Sequence, residues 1–276
     1  MEVWIARHGQ TLGNKTKIIQ GHQGGELSEV GFTQAEKLGE RLKNTKFQAI
    51  FISDLNRTCQ TAFPILRKNK HRSTPVYLSP LLREKGGGVI EGMPLTTSQT
   101  MAKEQGIPLR KFKAEGGESW EDVHHRASEC VDSLLMGYVT RENSCDMNAT
   151  KRFSNMDEAL AEMELERVIQ GHHDEEEEEE KKSGETSKTR KTAATGKPKT
   201  SEKLRVLIIS HGKGYTRLII RYSEFWDSLK FRWIHDGNKE CCSTKKKSTL
   251  QTAKCCQKYF NLCVPPQSFR QHQVHQ

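Results

Sequence analysis

The stretch Val3-Trp4-Ile5-Ala6-Arg7-His8-Gly9 decides the fold, because an apolar run leads directly into a basic pair and a glycine. The same arrangement returns late in the chain as Val206-Leu207-Ile208-Ile209-Ser210-His211-Gly212. Short apolar runs that end at turn residues are typical of strands buried on both faces of a sheet. We therefore predict two buried strands, Val3 to Ala6 and Val206 to Ile209, each ending at a His-Gly pair.

Strand and helix patterns alternate between these two strands. A helical spacing of apolar residues follows Ser28, which is a favourable N-cap residue, and Pro64 lies inside a second helical pattern, where it should bend the helix or remove a hydrogen bond. The alternation predicts an α/β fold with three layers, α/β/α, around a mostly parallel central sheet. The predicted strands are Ala49 to Ile52 and Val76 to Leu78, and the predicted helices are Glu29 to Lys43, Asn56 to Lys68, a helix from the loop Gly116-Gly117-Glu118-Ser119 to about Leu135, and Tyr215 to Leu229.

The distribution of apolar residues predicts one folded domain with a polar insertion. Hydrophobic residues make up 34% of the 276 residues and charged residues 29%, and the shortage of apolar residues falls between the two His-Gly strands. We assign residues 1–136 and 204–234 to the domain, 137–203 to a charged, largely disordered insertion, and 235–276 to a Cys- and Lys-rich tail of unknown structure. Residues 155–169 of the insertion have the pattern of an amphipathic helix. No segment after the last predicted helix has the pattern of a strand that would close the sheet.

The formal net charge of +9 suits a nucleic acid, an anionic lipid surface or a phosphorylated small molecule. The sequence has no long basic helix with interleaved aromatic residues, so nucleic acid is not the expected partner. It has no apolar run of about 18 residues, so we expect no integral membrane contact. The acidic run Glu175–Glu180 and the basic tract Lys181–Lys203 have the composition of a solvated linker, although part of the tract could serve as a nuclear signal. A small phosphorylated metabolite is the expected partner, and the oligomeric state is left open.

Cysteine usage favours a reducing compartment. Residues 1–6 lack the basic flank of a secretion signal, and the chain has eight cysteines. We therefore expect reduced thiols and a cytoplasmic location, with nuclear or mitochondrial association left open. We expect no metal site and no cofactor, because the adjacent cysteine pairs of the tail lack the Cys-x-x-Cys spacing that suits zinc. The tail cysteines are Cys241, Cys242, Cys255, Cys256 and Cys263.

The residues that could carry chemistry follow the predicted strands. Ligands of parallel α/β sheets bind beyond the carboxyl ends of the strands, so we expect His8 and His211 to meet at one edge of the sheet. Arg7 lies beside the first histidine, and Arg57 begins the helix after the second strand; both suit a phosphate group. Glu84 follows the third strand and could protonate a departing alkoxide. A lone histidine at a strand end is more often structural, but the joint pattern predicts a phosphoryl-transfer site in which a neutral imidazole attacks phosphorus.

These motifs resemble the histidine phosphatase superfamily, which includes the cofactor-dependent phosphoglycerate mutases. The nearer resemblance is to its fructose-2,6-bisphosphatase-like branch, over residues 1 to about 136 and 204 to about 230. The matching segments are Ile5-Ala6-Arg7-His8-Gly9-Gln10-Thr11, Asn14, Ile18-Ile19-Gln20-Gly21, residues 27–35, Ser53-Asp54-Leu55-Asn56-Arg57-Thr58, Leu82-Arg83-Glu84, Val89-Ile90-Glu91-Gly92 and Gly116-Gly117-Glu118-Ser119.

The resemblance implies a phosphoglycerate mutase-like fold and a role for each matching residue. His8 would be the catalytic nucleophile and Glu84 the proton donor, with His211 completing the catalytic group. The implied phosphate- and substrate-binding residues are Arg7, Asn14, Gln20, Gly21 and Arg57.

The resemblance also implies a phosphoric monoester hydrolase without a metal or cofactor. Its expected substrate is a small sugar or glycerate phosphate, with fructose-2,6-bisphosphate first, and its expected intermediate is a phosphohistidine. Two alternatives stay open: a phosphoglycerate or bisphosphoglycerate mutase, and a catalytically impaired scaffold protein. The absence of a recognisable closing strand favours the scaffold, whereas the complete set of catalytic side chains favours an enzyme.

Overall fold

The computed structural model describes residues 2–139, 150–169, 204–212, 230–235 and 239–243. Its strands are β1 (Glu2–Arg7), β2 (Ala49–Ser53), β3 (Val76–Ser79), β4 (Lys151–Phe153), β5 (Arg205–Ser210), β6 (Lys230–His235) and β7 (Lys239–Ser243). Its α-helices are α1 (Leu12–Thr16), α2 (Glu29–Leu42), α3 (Asn56–Lys68), α4 (Thr97–Glu104), α5 (Trp120–Val139) and α6 (Met156–Ile169). Short 3₁₀ turns cover Pro80–Leu82 and Gly88–Ile90. The predicted strands, and the predicted helices up to residue 139, are confirmed to within a few residues at their ends.

The strands form one sheet in the order β4-β3-β2-β5-β1-β6-β7. All strands between the two edges run parallel, and the edge strands β4 and β7 are antiparallel to their neighbours. The prediction of a mostly parallel sheet is therefore confirmed. The prediction that no closing strand follows was wrong, because β6 pairs in parallel with β1, from Glu2 opposite Lys230 to Ala6 opposite Ile234.

Both faces of the sheet are buried, which confirms the three-layer architecture. Helices α2, α3 and α6 cover one face in a hydrophobic cluster that includes Leu38, Ile65 and Met163. Helix α5 buries Val123 and Ala127, at the spacing of one apolar helix face. Residues of the central strands that point away from the first cluster are also buried, namely Val3, Ile5, Phe51, Val206 and Ile208.

The turn after β1 packs tightly against the start of α2, and this fixes the chain beside the first predicted site histidine. Ser28 caps α2 as predicted, because its Oγ accepts a hydrogen bond from the N–H of Gly31 at 3.2 Å. A Cβ atom on Gly9 would lie 2.6 Å from the carbonyl oxygen of Gly31, so this approach requires glycine. The N–H of Gly9 is held by Thr61 Oγ1 at 3.0 Å, which ties the turn to α3.

Helix α3 continues through Pro64, which lacks an N–H but does not end the helix. The carbonyl oxygen of Pro64 faces Gly39 of α2, and a Cβ atom added to Gly39 would lie only 2.6 Å from that oxygen. Glycine at this crossing therefore lets the two helices approach closely on the same face of the sheet.

The boundaries predicted for the insertion and the tail need correction. Residues 151–153 form the edge strand β4, and 156–169 form the predicted amphipathic helix, α6. Met156 and Met163 of this helix belong to the main hydrophobic cluster, so residues 150–169, which we assigned to the insertion, are part of the folded domain. Residues 239–243 of the predicted tail form β7. The tail therefore contributes an edge strand to the sheet.

Several predictions fall on residues that the structure does not describe. These are the final helix at 215–229, the acidic and basic tracts at 175–203, and the tail beyond 243. Among the helices that the structure does describe, none has the length and apolar character needed to cross a bilayer. Cys59 and Cys130 are both buried.

Candidate active site

His8 lies just beyond the carboxyl end of β1. Its main-chain N–H donates to the carbonyl of Ser210 on β5 at 3.0 Å. Its Nδ1 lies 2.7 Å from the carbonyl oxygen of Gly9, and because a carbonyl only accepts, Nδ1 carries the proton of the neutral ring and Nε2 keeps its lone pair. Burial, and then the positive charges of Arg7 and Arg57, hold the pKa of His8 well below its usual range. The imidazole is therefore neutral at pH 7 and has the form of a nucleophile.

His211 meets His8 from the end of the neighbouring strand, as the sequence predicts. The two ring centroids are 5.1 Å apart and the ring planes are inclined at 58°. The His211 ring is fixed by Ser53 at the end of β2, whose Oγ lies 3.0 Å from Nε2. Burial, and then the neighbouring His8 ring and the positive charge of Arg57, hold the pKa of His211 well below its usual range. Two neutral imidazoles therefore share one buried site.

Arg57 supplies a positive charge that is buried to 1% exposure. Its Nη2 donates to the carbonyl of Gly21 at 2.9 Å and its Nη1 to the carbonyl of Gln23 at 3.2 Å. Burial lowers the pKa of Arg57, and the nearby carboxylates Glu84 and Glu91 oppose that effect. The guanidinium is therefore fixed by the loop that follows α1.

Three buried nitrogen atoms around His8 have no hydrogen-bond partner within the described residues: Nε of Arg7, Nε of Arg57 and Nδ1 of His211. Buried polar groups in proteins are generally paired, so a group of unpaired nitrogens at one place indicates a ligand. Two of the three belong to guanidinium groups, which favour oxyanions. The arrangement therefore suits a phosphate group in contact with Nε2 of His8.

Glu84 follows β3 and the first 3₁₀ turn, beside this phosphate site. Its carboxyl group lies within electrostatic range of Arg57, and its Oε1 accepts a hydrogen bond from the N–H of Lys85 at 3.0 Å. Its main-chain carbonyl accepts from His22 Nε2 and from Arg126 Nη2, both at 2.8 Å. The structure therefore brings the predicted carboxyl group to the site and holds its backbone from two sides.

The loop that fixes Arg57 is itself held by Glu91. One carboxylate oxygen of Glu91 accepts from the N–H of His22 at 2.8 Å, and the other accepts from the N–H of Gln23 at 3.0 Å. Gly21 has a φ of +50°, and a Cβ there would lie 1.8 Å from Glu91 Oε1. The carbonyl groups of the loop thus face Arg57, and the N–H groups of the loop face Glu91. The Glu91 carboxylate and the Arg57 guanidinium together hold the loop in this conformation.

A cavity of about 240 Å³ adjoins this loop, and Gln20 lines it with a buried Oε1 that has no partner in the described part of the chain. The cavity is lined by Leu12, Gly13, Ile18, Ile19, Gln20, Gln23, Gly24, Gly25 and Glu26. Asn14 has a structural role at the start of α1. Its Oδ1 accepts a hydrogen bond from the N–H of Thr11 at 3.2 Å and completes the capping box of that helix. The side-chain Nδ2 of Asn14 has no hydrogen-bond partner among the described residues and is left for a ligand.

Sequence reasoning missed several residues that organise the site. Ser53 could have been found, because it is the last residue of β2 and so lies at the carboxyl ends of the parallel strands, where the two histidines also lie. Glu118 lies in one of the matching sequence segments, but we assigned it no role there. Thr61 and Arg126 give no local signal, since their contacts depend on how α3 and α5 pack against loops. The described residues hold no cluster of His, Cys, Asp and Glu suited to a metal ion.

The fold and the site together define the class of protein. The profile of the "Histidine phosphatase superfamily (branch 1)" matches residues 3–142, and the chain belongs to this family.

Among particular relatives, fructose-2,6-bisphosphatase TIGAR B of Danio rerio is 41% identical over 143 residues, which are 51% of this chain and 55% of the relative. Fructose-2,6-bisphosphatase TIGAR of Mus musculus is 39% identical over 165 residues, 58% of this chain and 60% of the relative. The chain thus spans a little over half the length of these relatives. The solved structure of Bacillus stearothermophilus YhfR matches with a TM-score of 0.50 and 21% identity, covering 81% of each chain, and supports the fold.

Proposed function

We propose that this protein hydrolyses phosphate monoesters through a phosphohistidine on His8. The observation that carries the proposal is the pair of buried imidazoles, 5.1 Å apart, with unpaired nitrogens of Arg7 and Arg57 beside them. A neutral nucleophile and fixed positive charges are the two requirements of phosphoryl transfer without a metal. Membership of the family and the phosphatase names of its relatives support the same reaction class.

In the first step, Nε2 of His8 attacks phosphorus and the bond from phosphorus to the ester oxygen breaks. Glu84, in its protonated form, gives its proton to that oxygen, so the alcohol leaves neutral. The Nδ1 proton of His8 stays on the ring, because the carbonyl of Gly9 accepts it at 2.7 Å. Arg7, Arg57 and His211 hold the phosphoryl oxygens during transfer.

In the second step, water attacks the phosphohistidine and the bond from nitrogen to phosphorus breaks. The Glu84 carboxylate takes a proton from that water, which restores its acid form. Inorganic phosphate leaves, and His8 returns to its neutral form. The overall reaction consumes one water and converts a phosphate monoester into an alcohol and phosphate.

For the substrate, we propose a small sugar phosphate, with fructose-2,6-bisphosphate as the first candidate. The cavity next to the loop that holds Arg57 has a volume of about 240 Å³, and its lining includes Gln20, Gln23 and Glu26 among apolar residues and glycines. Such a lining offers donors and acceptors for hydroxyl groups. The relatives named as fructose-2,6-bisphosphatases support this choice.

Phosphate release from a panel of sugar bisphosphates and phosphoglycerates tests the proposal. We expect release by the parent protein and at least a 1,000-fold loss in His8→Ala, on the order of the loss when a nucleophile is removed. Acid-labile, alkali-stable label on the parent but not on the variant would identify the phosphohistidine. Equal rates for parent and variant would refute the mechanism.

The same panel separates hydrolysis from mutase activity. If label from a phosphorylated donor returns to a sugar acid instead of ending as inorganic phosphate, the protein is a mutase. The case for an inactive scaffold has weakened, because its main argument was a missing closing strand and β6 occupies that place in the sheet.

A further inference from the structure

The segment that carries Glu84 is irregular, and one arginine of α5 binds its carbonyl groups in succession. Nη1 of Arg126 donates to the carbonyls of Leu81 and Arg83, both at 2.8 Å. Nη2 donates to the carbonyl of Glu84, also at 2.8 Å. The guanidinium therefore fixes the main chain directly at the proposed proton donor.

Glu118 completes this arrangement from the glycine-rich loop before α5. Its Oε1 accepts from Nε of Arg126 at 2.8 Å and its Oε2 from Nη2 at 2.9 Å, the paired geometry of an arginine–carboxylate fork. Its Oε2 also accepts from the N–H of Gly86 at 2.8 Å, two residues beyond Glu84. Burial alone would raise the pKa of Glu118, but the nearby His22 ring and hydrogen bonds from Arg126 and Gly86 hold it well below its usual range. The carboxylate is therefore charged whenever the enzyme is folded near neutral pH.

His22 joins the same group from the loop that holds Arg57. Its Nε2 lies 2.8 Å from the carbonyl oxygen of Glu84 and 3.6 Å from Oε2 of Glu118. Since the carbonyl can only accept, Nε2 donates to it. The Glu84 carbonyl thus receives two hydrogen bonds, one from each side of the site.

We propose that Arg126, held in place by Glu118, is a positioning residue for the proton donor Glu84. This inference rests on the proposed function. The two side chains do not touch the substrate; they fix the backbone from which the Glu84 carboxyl reaches the leaving oxygen. A displacement of about 1 Å at a catalytic group can cost on the order of 100-fold in rate, so a fixed backbone has direct kinetic value.

The choice of ester separates positioning from general structural support. A p-nitrophenolate can leave without being protonated. The alkoxide that leaves from glycerol phosphate must be protonated. The parameter kcat/KM covers every step up to departure of the alcohol, so it is insensitive to the later attack of water. A residue that acts through the proton donor should therefore matter for the alkyl ester and much less for the aryl ester.

The experiment compares kcat/KM of Arg126→Lys and Glu118→Gln on these two esters. Lysine keeps the charge but loses the fork that reaches several carbonyls. We expect losses of about 10- to 100-fold on glycerol phosphate and of less than about 3-fold on p-nitrophenyl phosphate. Arg72→Lys is the matched control, because Arg72 also joins a main-chain carbonyl, that of Leu66, to the carboxylate of Asp157. We expect it to leave both values unchanged.

A double-mutant cycle with Glu84→Gln gives a second, independent measurement. If Arg126 acts through Glu84, adding Arg126→Lys to Glu84→Gln should cause less than about a 3-fold further loss on glycerol phosphate. Equal losses on both esters, or full additivity in the cycle, would overturn the positioning role. Should Arg126→Lys fail to fold, Glu118→Gln supports both comparisons. Failure of the proposed function would look different, since the parent would then release phosphate no faster than His8→Ala.

Discussion

His8 and His211 are buried in their neutral forms, at 6% and 1% exposure, and this has a consequence for stability. Their pKa values are lowered on folding, so the unfolded chain binds more protons than the folded chain below the ordinary histidine pKa. Stability is then fully present above about pH 6.5 and falls as the pH drops towards the lowered values.

We therefore expect the free energy of unfolding to decrease between pH 6.5 and 5 by up to about 1.4 kcal/mol per pH unit for each buried histidine. Urea unfolding at several pH values measures this slope. The double variant His8→Gln, His211→Gln should have a shallower slope over the same interval. An unchanged slope in that variant would show that other groups cause the loss.

A second expectation concerns Ser53, whose hydroxyl is the described partner of the His211 ring. Ser53→Ala should lower kcat/KM about 10-fold, because the ring loses the hydrogen bond that fixes its orientation, and the unfolding free energy by about 1–2 kcal/mol. Thr74→Val is the control, since Thr74 Oγ1 is also buried but bonds to the carbonyls of Phe47 and His71 at the other end of the sheet. The control should lose similar stability and keep its activity. Equal activity losses in the two variants would contradict a local role for Ser53.

Much of the site could be predicted from the sequence at this scale, because parallel strands end at a common edge. His8, His211 and Arg57 each follow the carboxyl end of a parallel strand, so the sequence pattern of strand followed by polar residue is enough to place them together. Arg126 could not be predicted in this way. Its fork reaches carbonyls more than 40 positions away, and only the packing of α5 against the Glu84 segment determines that contact.

Among the elements, the loop between α1 and α2 carries the tightest constraint. Gly21→Ala should weaken phosphate or vanadate binding at least 10-fold. Alanine disfavours the left-handed φ of this position, and its Cβ would clash with Glu91, so the carbonyl that holds Arg57 would move. Isothermal titration with vanadate measures the change.

Gly106→Ala is the matched control for that loop. Gly106 has a similar φ of +66°, but nothing lies within 4 Å of an added Cβ. It should lose about 1–2 kcal/mol of stability and retain vanadate affinity. If both glycine variants bind vanadate as the parent does, the link between the loop and Arg57 is absent.

The closing strand escaped prediction for a reason that the structure explains. Strand β6 reads Lys-Phe-Arg-Trp-Ile-His, and charged residues are rare in a strand with neighbours on both sides. Arg232 is accommodated because it lies over the Trp4 ring at 5.0 Å and 3.8 Å from the Glu2 carboxylate. A local pattern cannot reveal such compensation, since both partners lie more than 200 positions earlier in the chain.

For the molecule as a whole, α6 shows how far the folded domain extends into the predicted insertion. Its polar flanks suggested an insertion, yet Met163 is 3% exposed within the main core, whereas Leu165 on the same helix is 57% exposed. Met163→Ala should lower the unfolding free energy by about 2–4 kcal/mol, and Leu165→Ala by less than about 0.5 kcal/mol. Urea unfolding of both variants checks this difference. If Met163→Ala lowered the unfolding free energy as little as Leu165→Ala, α6 would not unfold together with the domain.

The position of β1 between β5 and β6 has a consequence for biosynthesis. Strand β1 leaves the ribosome long before its neighbours, and Arg205 reaches Glu2 across 203 positions. Pairing over such separations is slow, and both edges of β1 stay open to foreign strands until translation passes residue 210. A nascent chain that already contains the whole family match, residues 3–142, still lacks the second imidazole. Products that end before His211 should therefore release no phosphate, because they lack one of the two imidazoles of the proposed site.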